Sequence, residues 1–260
     1  MQTLAHDMNA STWPLLGITG AAAALLTLAS CATVIDKTVA DAIITPLSAV
    51  LAGADANAVG PHMLMTRKGQ PQSGDREYAN VLASQLRESI ARFQDVKAAE
   101  KAGYYSFPAE PGPELKEIHY VNPSLSGNQD SQFNPRKPGS LLYRRTGDGG
   151  LELVGAMFTA PATASLAELN RRVPLSIAQW HLHKDICIPI PLWDKEQWQR
   201  KIDGGKPVFG PESPIDSKRS CDVVGGRFAP VIFGWMTHAY VYRQDPETVW
   251  DPMSGHDHGH

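Results

Sequence analysis

Basic residues are missing from the start of this chain: between Met1 and Ile35 the only formal charge is Asp7. Catalytic signatures are missing as well. There is no Gly-x-Ser-x-Gly elbow, no phosphate-binding P-loop and no dinucleotide fingerprint, which removes the most readable hydrolase and nucleotide-binding classes. Cysteine is scarce, three in 260 residues, with no Cys-x-x-Cys or Cys-x-x-Cys-His among them. That spacing argues against a thioredoxin-like centre and against covalently attached haem. No block of like charge occurs and the net charge is −3, so nothing attracts nucleic acid. Internal repeats and low-complexity tracts are absent too. What remains is ordinary globular composition, 42% hydrophobic and 20% charged, enough for one moderate domain with short extensions.

The leader is itself informative. Trp13 to Ile35 is apolar or small throughout and contains Leu28-Ala29-Ser30-Cys31. An export signal needs an apolar stretch followed by small residues at the cleavage point. Leu-Ala-Ser-Cys resembles the lipobox of bacterial lipoproteins, in which the cysteine is acylated and becomes the mature N-terminus. The reading is therefore a signal peptide over 1–30, lipidation at Cys31, and a protein facing the periplasm or cell exterior through a membrane anchor. A signal peptide normally opens with Lys or Arg, so an uncleaved anchor helix and a buried core helix stay open as alternatives. Setting Cys31 aside leaves Cys187 and Cys221. In an oxidising compartment they suit a disulfide, with thiolate ligation of a metal as the other option.

Residues 31–60 read as a tether, 61–254 as a single domain, and 255–260 as a histidine-rich tail. Asp75 opens the strongest helix, with Tyr78, Leu82, Leu86, Ile90 and Phe93 on one stripe. Asp95 caps a second short helix ending at Gly103. Past Pro113 the pattern turns to strands: Ile118 to Val121, Ser140 to Arg145, Gly150 to Thr159, Leu175 to Ile188 and Phe228 to Arg243. The run Arg145 to Gly150 reads as a hairpin turn, Ser165 to Glu168 as a capping box, and 203–226 as a long loop. Strands joined by hairpins beside a pair of helices predict an α+β fold. Its antiparallel sheet carries the N-terminal helices on one side, with a small barrel or cupin-like sandwich as the alternative.

Histidine carries the chemistry. In Trp180-His181-Leu182-His183-Lys184-Asp185-Ile186-Cys187, alternate side chains of a regular strand share a face. That spacing projects His181, His183, Asp185 and Cys187 together, and two imidazoles at i and i+2 can reach one metal. His238 and His119 sit inside other predicted strands. Three or four such ligands suit a catalytic or a closed metal site. Imidazole alone does not choose the metal, but thioethers beside it, in Gly60-Pro61-His62-Met63-Leu64-Met65 and at Met236, favour copper over zinc. The tail His256-Asp257-His258-Gly259-His260 is a further weak metal site. The competing view is that these histidines hydrogen-bond to Tyr120, Tyr240, Asp185 or carbonyls and fix the core.

Several segments together resemble a family of uncharacterised secreted bacterial proteins. They are Gly60-Pro61-His62-Met63, Asp95 through Gly103-Tyr104, Leu153 to Met157, Pro174 to His181 with His183 and Cys187, and Phe233 to His238. The marks of the family are Trp-His-x-His-x-x-x-Cys and Gly-Trp-Met-x-His. The resemblance implies that His62, His181, His183 and His238 form one recurring constellation, and it supplies no activity. Three functions follow as expectations: an exported domain that binds copper or zinc, a metalloenzyme with one histidine-held metal acting on a small molecule, or a metal-free envelope interaction domain.

Overall fold

The computed structural model describes residues 47–51, 56–107, 117–126, 133–242 and 248–250. The leader, Cys31, most of the tether and the histidine-rich tail lie outside them. The helices are α1 (Leu47–Leu51), α2 (Asp75–Ile90), α3 (Val96–Lys101), α4 (Pro123–Ser126), α5 (Leu166–Arg172), α6 (Lys195–Trp198) and α7 (Lys218–Val223). The strands are β1 (Ala56–Ala58), β2 (Met63–Thr66), β3 (Tyr105–Phe107), β4 (Glu117–Val121), β5 (Ser140–Arg145), β6 (Leu151–Ala160), β7 (His181–Ile188) and β8 (Arg227–Ala239). They form one eight-stranded sheet in the order β1-β2-β7-β8-β6-β5-β4-β3, every pairing antiparallel. The fold is α+β as expected. The sheet stays open, which sets aside the closed-barrel alternative.

Helix α2 covers one face of the sheet. Ala79, Leu82, Leu86 and Ile90 recur every three or four residues and are buried, and Phe93 continues the stripe through a 3-10 turn. Burying each Leu or Ile contributes roughly 1.5–3 kcal/mol. Asp75 and Glu77 sit in the first turn, where the helix dipole favours acids. Tyr78, expected on the stripe, is instead 42% exposed; small Ala79 takes the contact position. Asp95 caps α3 by accepting from the Lys97 N–H. Ser165 and Glu168 form the reciprocal capping box on α5.

The strands partition their residues cleanly. On the helix-covered face lie Leu64, Ile118, Tyr120, Leu141, Tyr143, Ala156, Phe158, Leu182, Trp235 and Ala239, all in the core cluster that includes α2. The residues between them point to the other face, as a two-residue period requires. Pairing of β1 with β2 places the sheet's first edge inside the stretch read as tether, and Val50 of α1 is buried in the same core.

Three segments depart from expectation. β7 begins only at His181, because Ile177 and Ala178 donate back to the Pro174 carbonyl and close a turn. The loop 203–226 contains α7, capped by Ser217. Strands β1, β2 and β3 lie where none was expected; at three or four residues each, they are too short to show alternation.

Candidate metal centre

The face of the sheet opposite α2 carries the histidines. His181 and His183 project from β7, His238 from the adjacent β8, and His119 from β4, with β6 and β5 between β8 and β4. Their ring centroids form a chain: His119 to His238 is 5.4 Å, His238 to His181 is 5.1 Å, and His181 to His183 is 5.9 Å. A flat sheet spaces strands about 4.8 Å apart, so β4 and β8 would stand about 14 Å from each other. The sheet therefore rolls inward on this face. Gly155 of β6 makes room for the roll: a Cβ there would fall 2.0 Å from the Ala239 carbonyl oxygen of β8.

The same curl brings Phe107 of β3 against Phe233 of β8, and against Trp193 and Trp198 from the segment after β7. His181 and His238 are 1% and 0% exposed. His119 keeps a quarter of its side-chain surface, so the chain of rings runs from a buried centre towards solvent.

Hydrogen bonding fixes the tautomer of His238. The Tyr240 hydroxyl donates to Oε1 of Glu117 at 3.1 Å and lies 3.2 Å from Nδ1 of His238. A phenol has one hydrogen. With that hydrogen given to the carboxylate, the Tyr240 oxygen accepts from His238 Nδ1–H. Nε2 of His238, fully buried, is then the lone-pair nitrogen. A carboxylate that orients an imidazole through its second nitrogen is the usual support of a metal-ligating histidine. Glu117 also stands 3.8 Å from Nε2 of His119. Tyr240 was anticipated from sequence as a hydrogen-bond partner of the histidines; Glu117 was not. The available signal was alternation: Glu117 lies two residues before His119 on β4, and Tyr240 two residues after His238, just past the end of β8.

Strand register places a methionine opposite each buried-face histidine of β7 and β8. Met63 lies across from His183 and Met65 across from His181. On its other side His181 faces Met236, while His238 faces Met157. Residues directly opposite in an antiparallel pair share a face, with Cβ atoms about 5 Å apart. All four methionines are buried.

The remaining candidates go elsewhere. His62 has its Nε2 2.7 Å from the Ser213 carbonyl and its Nδ1 3.3 Å from that of Lys184; it ties the 208–215 loop to the sheet edge. Asp185 adopts φ 54° and pairs with Lys184 at 2.7 Å. That left-handed residue interrupts the alternation of β7. Ile186 and Ile188 pack with Ile232, which faces His183, while Cys187 joins Val208, Phe209, Ile215 and Cys221. The expectation that Asp185 and Cys187 project with the two histidines fails for this reason. Cys187 and Cys221 form a disulfide with Cα atoms 5.5 Å apart. Across β7 and β8 the register also slips by two residues between His181 and His183, where Phe233 and Gly234 take positive φ.

Among the described residues, no group of three or more His, Cys, Asp or Glu side chains is already arranged around one point as a metal site. Joining these imidazoles at a metal requires their rings to turn. No helix among the described residues is long and apolar enough to cross a membrane. The chain matches no family model, no curated protein and no solved structure.

Proposed function

We propose that this chain is an exported lipoprotein, anchored through Cys31, whose sheet domain binds one transition-metal ion. The ligands are His181 and His238, joined by His119 or His183. The observation that carries the reading is the ring spacing. Two imidazoles bound to one tetrahedral metal, with metal–nitrogen bonds of about 2.0–2.1 Å, hold their ring centres about 5 Å apart. The pairs His181–His238 and His119–His238, at 5.1 and 5.4 Å, already stand at that separation. The set Glu117–Tyr240–His238 presents the central ring in the tautomer that ligation needs. Export is supported by the apolar run from Trp13 with its Leu-Ala-Ser-Cys and by a disulfide that suits an oxidising compartment.

The test is metal content of the untagged chain with His256, His258 and His260 replaced by Ala, so that the tail contributes nothing. One equivalent of copper or zinc is expected, and His181→Gln with His238→Gln removes it while circular dichroism stays native. No stoichiometric metal, together with a melting temperature that neither ion shifts, overturns the reading.

A further inference from the structure

We propose that Met65 and Met236 are ligands of the same site and that the ion it takes is cuprous copper. The inference rests on the metal-binding reading above and narrows it to one ion. Its basis is the row Met65–His181–Met236, in which strands β2, β7 and β8 set one imidazole between two thioethers on a single face. Met157 stands opposite His238 on the same face, and it clusters with Met236, Leu142, Val154 and Tyr240. The register that produces this row is a constraint of the ladder, since a one-residue slip of β2 against β7 would turn Met65 to the helix-covered side.

Donor chemistry then selects the ion. Thioether sulfur is a soft, neutral ligand that favours copper(I) and gives zinc(II) little. Neutral imidazole and neutral thioether add no negative charge to a buried site, and a monovalent ion is the cation whose desolvation such a site best tolerates. Histidines alone also hold zinc, so it is the thioethers beside them that select the ion. The face offers no thiolate, because Cys187 is turned away and bonded to Cys221. Its carboxylate, Glu117, is engaged by the Tyr240 hydroxyl. Leu142, Val154 and Tyr240, with Ile186, Ile188 and Ile232 beyond His183, wall the site with apolar surface. Such a wall keeps oxidant and water from the bound ion.

The experiment is an anaerobic titration of cuprous copper against a chromophoric copper(I) chelator, with zinc(II) titrated in parallel. It uses the full chain with the tail histidines replaced. Met65→Leu combined with Met236→Leu conserves core volume. The double variant is expected to lose copper(I) affinity by about tenfold or more, with zinc affinity within about twofold of the parent. X-ray absorption of the copper(I)-loaded parent should show sulfur as well as nitrogen in the copper shell. If both chains hold copper(I) equally, or the shell is nitrogen only, the methionines are core fillers and this inference falls while the metal reading stands. If the parent binds neither ion, both fall together. Should the double variant fail to fold, the absorption measurement on the parent still decides.

Discussion

Opening the Cys187–Cys221 bond is expected to destabilise the domain by several kcal/mol. The bond joins β7 to α7 across 34 residues, a segment also tied by the Lys201–Pro207 bridge and by the Gly210 N–H donating to the Cys187 carbonyl. In the chain-entropy treatment, closing a loop of that length removes about 12–13 cal/mol/K from the unfolded state, or about 4 kcal/mol at 25 °C. Reduction is a cleaner perturbation than mutation, because both sulfurs are fully buried beside Val208 and Phe209 and truncating them would add a cavity term. With a urea dependence of about 2 kcal/mol/M, the unfolding midpoint should fall by roughly 2 M on reduction. The assay is urea unfolding followed by tryptophan fluorescence, with and without reductant. Thiol titration confirms that both cysteines are free in the reduced sample. An unchanged midpoint with both thiols titrated would refute the entropic argument.

Three further outcomes follow from particular contacts. Gly226→Ala places a Cβ 2.5 Å from the Cys187 sulfur and 2.6 Å from the Phe209 ring, so it should cost about 1–3 kcal/mol. That cost should shrink in a Cys187→Ala, Cys221→Ala background, and a coupling energy near zero would contradict the packing described. Tyr104 is buried with its hydroxyl donating to the Pro138 carbonyl, and burial raises its pKa from 10.0 to about 12. The folded state thus holds the phenolic proton more tightly than the unfolded chain. Its contribution, roughly 2–3 kcal/mol, is whole below pH 10 and drains away as pH rises towards 12. Urea midpoints measured across that window should fall less steeply for Tyr104→Phe, and identical slopes would count against the assignment. Tyr240→Phe removes the hydroxyl between Glu117 and His238. Metal affinity should drop by about tenfold or more, while metal-free stability changes by only about 1 kcal/mol; unaltered affinity would mean that the tautomer does not govern ligation.

Much of the fold was legible because its signals are local. The stripe on α2, the caps at Asp95 and Ser165, and the 145–150 turn each involve residues within a few positions of one another. The face shared by His181 and His183 followed from alternation. Cys187 escaped that rule because a single residue, Asp185, adopts positive φ, and nothing in an Asp announces it. The approach of His119 to His238 depends on how far the sheet rolls across Gly155, a property of four strands that no one of them encodes. Only the register of β2 against β7 reveals that Met63 and Met65 stand opposite the histidines. His62, grouped with the others by resemblance, is separated from them by partners on a distant loop.

The most direct test of the central claim is anomalous scattering from crystals of the tail-substituted chain grown with one equivalent of copper(I) or zinc(II). The account predicts one strong peak at the metal edge, about 2.0–2.1 Å from Nε2 of His238 and from a ring nitrogen of His181, with His119 or His183 completing the histidine set. Peaks confined to the surface, with the His181 and His238 rings at their metal-free positions, would contradict it.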